Sequence, residues 1–211
     1  MLDYTEYVKI FVALLAVINP LGAISMFIAL TPGKEMTARK KIAKIASFSA
    51  TLILLVALVA GEGVLAIFGI SVSSFRVGGG ILILLMAISM LQAELSPTVQ
   101  TKEEAEESNR KHDIAVVPLA TPLLAGPGGI STVVVEAHKG SNLGHEMLLG
   151  LIIMIVGICL WMALHLAPLI SQRLGKTGIN IFTRIMGLIL AAIAVEIIAN
   201  GLKGLFPTLT G

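Results

Sequence analysis

The chain is short of charge, of aromatic rings and, above all, of cysteine. One cysteine, Cys159, in 211 residues excludes an intramolecular disulfide and a cysteine-rich metal centre, and its apolar setting reads as a small buried hydrophobe. Charged residues make up 13% of the chain and the net charge is +2, too little to argue for a nucleic-acid partner. Aromatic residues are 5%, with Trp161 the single tryptophan, so a large aromatic-lined cavity is not expected. The two aspartates, Asp3 and Asp113, lie at the ends of apolar segments, which removes the paired intramembrane carboxylates of an aspartyl protease. His165 could serve a Ser-His pair, but no Gly-x-Ser-Gly element precedes a helix, so no enzyme is expected. Met1-Leu2-Asp3-Tyr4-Thr5-Glu6 lacks the basic start and small-residue cleavage site of a signal peptide, and the first apolar segment should stay in the mature protein.

What the chain has instead is apolar length. Hydrophobic residues are 56% and the mean hydropathy is +0.94, values of a polytopic membrane protein. About 20 apolar residues cross a hydrocarbon core, and the sequence predicts six such spans: about Tyr4–Leu30, Ile42–Ile70, Ser74–Leu95, Ile114–Val135, His145–Leu174 and Ile179–Leu202. The expected fold is all-α and integral to the membrane. Residues 1–95 form one three-helix unit, 96–113 a polar cytoplasmic linker, and 114–211 a second three-helix unit. The loops after spans one, three and five hold eleven lysines and arginines and the opposite side four, so both termini should face outward. With three spans per half, the second half enters from the opposite side, and any structural repeat is an inverted one.

Two stretches organise these spans: Asn19-Pro20-Leu21-Gly22-Ala23-Ile24-Ser25 and Gly126-Pro127-Gly128-Gly129-Ile130-Ser131-Thr132. Superimposing Pro20 on Pro127 places Gly22 on Gly129 and Ser25 on Thr132, at an offset of 107 residues. Proline removes a backbone donor and clashes with the preceding turn, and glycine tolerates an open backbone. The first and fourth helices are therefore expected to break at mid-membrane. Such a break survives only where it is buried in protein or lines a cavity, and corresponding breaks in two halves point to a transporter site. The second half-helices would start near Ala23 and Ile130 with N–H groups and partial positive charge facing a shared centre, while carbonyls arrive from Ile18 and Ala125. Donors for a carboxylate beside acceptors for an ammonium suit a small zwitterion such as an amino acid. The candidate substrate-binding set is Asn19, Pro20, Leu21, Gly22, Ala23 and Ser25 in the first span, with Thr121, Gly126, Pro127, Gly128, Gly129 and Ile130 in the fourth.

Intramembrane carboxyls are the second class of candidate. Glu62 and Glu196 lie in apolar runs toward the outer end, with Asn200 one turn beyond Glu196, and are candidates for ion coupling or for a pore mouth. Other features have plainer readings. His165 reads as a helix-packing histidine, and Pro118 and Pro168 as kinks. Gly78-Gly79-Gly80, Gly157 and Gly187 read as close helix contacts. His138 and His145, beside Glu136 and Glu146, offer only a weak metal pattern, and no metal or cofactor is expected.

The two motifs also resemble those of the MarC family of integral membrane proteins, also described as small neutral amino acid transporters of the SnatA type. The resemblance rests on Asn19-Pro20-Leu21-Gly22-Ala23 followed by Phe27 and Leu30-Thr31, and on Ala120-Thr121-Pro122-Leu123-Leu124-Ala125-Gly126-Pro127-Gly128 with Ile130. Six spans, a polar central linker and the chain length match throughout. The resemblance implies a multi-pass plasma-membrane transporter for glycine, alanine and similar small neutral amino acids, driven by a proton or sodium gradient. Its partners would be those amino acids, the coupling ion and the lipid bilayer, with a homo-oligomer left open. A channel or efflux pathway for other small solutes is the alternative.

Overall fold

A computed structural model describes residues 3–31, 33–92, 124–140 and 142–210. These residues are helical, with no strand among them: α1 (Tyr4–Ile18), α2 (Pro20–Leu30), α3 (Met36–Ile67), α4 (Val72–Gln92), α5 (Pro127–Ala137), α6 (Leu143–His165) and α7 (Ala167–Leu205), then a 3-10 turn at Pro207–Thr210. Five stretches are long and apolar enough to cross a bilayer: Tyr4–Ile28, Met36–Ile67, Val72–Gln92, Leu143–His165 and Thr177–Leu205. α5 alone is too short, and the first part of the expected fourth span lies outside the described residues, as does the expected linker at 96–113.

Local signals set most of the ends. The Asp3 carboxylate accepts from the Tyr4 N–H at 2.8 Å at the start of α1, and the Asn142 amide oxygen accepts from the His145 N–H at 2.8 Å at the start of α6. The Thr31 hydroxyl donates to Phe27 O at 2.7 Å, while Arg39 Nη2 donates to Thr31 O at 3.0 Å, closing the connection from α2 into α3. α3 starts at Met36 rather than near Ile42, so the basic residues Arg39 to Lys44 belong to its first turns.

Two boundaries differ from expectation. The fifth span ends at His165, not near Leu174, because Pro168 sits in the first turn of α7. A proline there costs no hydrogen bond, since first-turn N–H groups have no intrahelical acceptor. Pro168 therefore starts a helix instead of kinking one. α7 is itself interrupted at Gly175, whose φ of 63° belongs to the left-handed region, and its spanning part begins at Thr177.

Leu14, Phe27, Leu54, Leu149, Ile153 and Leu164 close one core among α1, α2, α3 and α6. Val17, Ile83, Met86, Ala87, Leu190 and Ala194 close a second among α1, α4 and α7. Elsewhere the helices turn large apolar side chains outward, among them Val59, Leu151, Ile185 and Leu188, as bilayer-facing helices do.

The packing has an exchange pattern. α4 lies on α7 and α3 on α6; α2 packs on α7 as α5 packs on α4, and α2 on α6 as α5 on α3. At residue level, a Cβ added to Gly80 would meet Ala194, Ile197 and Ile198, and one added to Gly187 would meet Ala87, Met90 and Leu91. Shifting the first set by the same 107 positions that relate Pro20 to Pro127 gives the second. Gly79 similarly abuts Ser131 and Gly157 abuts Thr51, whereas Gly78 faces open space and makes no close contact.

Candidate functional site

Pro20 dictates the geometry of the first motif. It has no N–H, and its ring disfavours the helical region for the residue before it. Asn19 leaves the helix at φ 46° and ψ 66°, the one non-glycine residue with positive φ among those described. Asparagine tolerates this conformation because its short amide bonds locally, and here Asn19 Oδ1 accepts from the Gly22 N–H at 3.1 Å.

The interruption is a single residue. The Asn19 N–H still donates to Leu15 O and the Ala23 N–H to Asn19 O, both at 3.0 Å. The N–H groups of Gly22 and Ala23, expected as open donors, are therefore both met within the motif. Asn19 Oδ1 stands at the N-terminus of α2 where a carboxylate oxygen would stand.

The second motif lacks that amide. α5 starts at Pro127 after an extended Gly126, with φ −66° and ψ 175°, and no side chain among the described residues caps it. Ile130 donates to Gly126 O at 3.1 Å as the first helical bond. The first-turn N–H groups of Gly128 and Gly129 thus have no counterpart to Asn19.

Both motifs share a wall. A Cβ on buried Gly128 would lie 3.1 Å from Ile83 Cγ1 and Met86 Sδ and 3.3 Å from Val17 Cγ1. Asn19 Nδ2 approaches Met90 Sδ at 3.9 Å, one turn along α4 from Met86. The end of α1 and the start of α5 therefore meet, with the α4 methionines beside them. Pro20, Leu21, Gly22, Pro127 and Ile130 are partly buried and Ala23, Gly126 and Gly129 buried, but Ser25 is exposed. Ser131 and Thr132 are buried, and Thr132 Oγ1 donates to Gly128 O at 2.9 Å. Thr121 lies outside the described residues.

A cavity of about 520 Å³ opens beside Thr132 between α1, α5 and α7, with Lys9, Glu136, Lys139, Glu196 and Asn200 on its walls. Lys9 pairs with Glu6 at 2.7 Å and Lys139 with Glu136 Oε1 at 2.8 Å. Glu136 Oε2 is buried with no hydrogen-bond partner among the described residues. In the sequence Glu136 enters only beside His138 in a weak metal pattern, and not as a residue of the transport site, because it adjoins a loop. The available signal is its spacing of four from Thr132 and seven from Gly129, which puts all three on one helical face.

The two nominated carboxyls are not brought together. Glu196 reaches the cavity, while Glu62 is half exposed and bonds to His138 Nδ1 at 2.7 Å. An exposed pair of that kind contributes about 0–1 kcal/mol. His145 is fully buried, with Nε2 at 2.9 Å from Glu136 O and Nδ1 at 3.0 Å from the Tyr7 hydroxyl. A carbonyl can only accept, so Nε2 carries the hydrogen, and in a neutral ring the tyrosine hydroxyl donates to Nδ1. His145 thereby ties α1, α5 and α6 together. The His165 ring lies against Trp161 at 5.3 Å. Among the described residues, no group of three His, Cys, Asp or Glu could hold a metal ion.

The family described as MarC family integral membrane protein matches residues 4–206. The UPF0056 membrane protein YhcE of Escherichia coli K12 is 40% identical over 207 residues, covering 98% of this chain and 96% of its own. A UPF0056 membrane protein of Buchnera aphidicola subsp. Schizaphis graminum is 41% identical over 209 residues, covering 99% and 97%. The UPF0056 membrane protein YvbG of Bacillus subtilis is 41% identical over 208 residues, covering 98% and 99%. No solved structure matches.

Proposed function

Since the chain belongs to the MarC family of integral membrane proteins, we propose that it is a secondary transporter of small neutral amino acids, with glycine and alanine as substrates and an ion gradient as the driving force. The observation that carries this reading is the pair of helix starts at Pro20 and Pro127. One is filled by the Asn19 amide oxygen; the other is uncapped and walled by glycine. Helix N-termini hold carboxylates through N–H groups and dipole. The substrate carboxylate would sit on the N–H groups of Gly128 and Gly129, with Asn19 released from Gly22 to let it share the start of α2. The charged cavity beside Thr132 is the route in, with Glu196 the better placed of the two coupling candidates.

The exchange pattern of the packing supports six spans in two inverted repeats, with the first and fourth spans interrupted at corresponding places in the membrane, and the lysine and arginine count supports both termini outside. Single cysteines introduced in a Cys159-free background test the orientation. A cysteine at Lys40 should resist an impermeant reagent applied to intact cells, and one at Leu143 should react; the reverse pattern sinks the topology. Function itself is tested by counterflow of labelled glycine in proteoliposomes. Uptake should saturate and be accelerated by glycine or alanine preloaded inside. Flux that neither saturates nor responds to preloading would instead favour a channel.

A further inference from the structure

We propose that the groove between α3 and α6 is a binding site for an anionic phospholipid, the headgroup held by Lys44 and an acyl chain lying along the groove. The two helices run antiparallel, since Gly157 meets Thr51 while Gly150, earlier on α6, lies near Leu55 and Leu58, later on α3. Between them is a groove of about 370 Å³ with Phe48, Leu52 and Leu55 on one side and Met154, Ile158 and Trp161 on the other. It is concave because Gly157 has no side chain and the Thr51 hydroxyl turns back to Ser47 O at 2.8 Å. Lys44 closes one end. Residues 44, 48, 52 and 55 follow the helical spacing, so cation and apolar wall share one face of α3.

Any outward apolar face meets lipid, but three features make this groove selective. Exposed Lys40 and Lys41 lie on the turn before Lys44, and none of the three lysines forms an ion pair among the described residues. Ser47, on the groove wall beside Lys44, is buried at 3% exposure and its hydroxyl has no partner among the described residues, leaving it a donor for an ester carbonyl. Trp161 lies one turn from the end of α6, at the same end of the groove, and indoles favour the headgroup level of a bilayer. A cationic end, a hydroxyl and an apolar channel in that order match a phospholipid from phosphate to tail. A second copy fits worse. Copies in one membrane share orientation, so pairing across this face brings two sets of lysines into the same leaflet.

Trp161 is the only tryptophan, so its fluorescence reports this groove alone. The full chain is reconstituted in phosphatidylcholine vesicles into which acyl-brominated phosphatidylglycerol or acyl-brominated phosphatidylcholine is titrated. Surface attraction of an anionic lipid corresponds to roughly a fivefold preference per lysine engaged. Brominated phosphatidylglycerol should therefore quench Trp161 at a several-fold lower mole fraction. The preference should fall about fivefold in Lys44→Gln and persist in Lys44→Arg. Equal quenching by the two lipids overturns the proposal, as does a preference unchanged in Lys44→Gln or lost equally in Lys44→Arg. Shielding of Trp161 from both lipids also overturns it and would assign the groove to a second copy.

Discussion

Replacing Asn19 with aspartate is expected to weaken glycine transport by on the order of a hundredfold while leaving the protein folded in the membrane. Aspartate tolerates the left-handed conformation seen at Asn19 and caps a helix as well as asparagine does. Its charge also opposes the positive end of the α2 dipole, a gain of about 0.3–1 kcal/mol. The same charge would occupy the position where the Asn19 amide oxygen now bonds to the Gly22 N–H. At about 5 Å and an effective dielectric near 20, two like charges repel by roughly 3 kcal/mol, so binding of a substrate carboxylate should weaken by on the order of a hundredfold. Asn19→Ala supplies the control: it loses the cap, about 1 kcal/mol, and strains the left-handed backbone by roughly 1–2 kcal/mol more, but adds no charge, and should transport better than the aspartate variant. Initial counterflow rates and thermal unfolding of the same preparations separate the two effects. Wild-type transport by Asn19→Asp would remove the α2 start from the site.

Much of the fold is legible in the sequence because its strongest signals are local. The apolar runs mark the spans, Pro20 marks where Asn19 must leave the helix, and the small residues at 79, 80, 157 and 187 mark where helices touch. Pro168 shows where such reasoning runs out. A proline in a first turn and a proline in mid-helix look alike in sequence, and only the position of the preceding helix end distinguishes them. Gly175 is the easier case, since its positive φ falls between Leu174 and Ile179, where the sequence already separates two spans.

The candidate site is legible in its backbone and less so in its side chains. Glycines and prolines announce the helix starts, but the sequence does not say that Asn19 folds back onto Gly22 and fills one of them. Nor does it show that Ser25, in step with Thr132 by repeat position, is exposed while Thr132 is buried. Glu136 is hidden for a related reason. Its neighbours along the chain suggest a solvated loop, while in space its carboxylate meets Lys139 and its backbone carbonyl meets buried His145. Burial is set by α1 and α6 closing over it, contacts between residues far apart in sequence.

The chemical identity of the ligand gives the second large effect. If the N–H groups of Gly128 and Gly129 hold the carboxylate, recognition falls on the amino acid backbone, and a hydrogen bond to a charged group contributes roughly 1.5–3 kcal/mol. Glycinamide, which keeps the ammonium but loses the carboxylate, should compete with labelled glycine at least about tenfold more weakly than glycine does. Alanine should compete well. The room for a side chain is set by the glycines. A Cβ on Gly129 would lie 3.4 Å from Leu54, so Gly129→Ala should fold and remain active. Gly129→Val adds two further methyl groups in that narrow space and should abolish uptake while the protein stays in the membrane. Gly22→Val should act through the cap, because a Cβ there collides with the Asn19 amide. Dose-response curves for glycine, alanine and glycinamide against labelled glycine, run on wild type and Gly129→Ala, provide the measurement. Glycinamide competing as well as glycine, or Gly129→Val transporting normally, would show that the backbone N–H groups at the start of α5 do not hold the substrate.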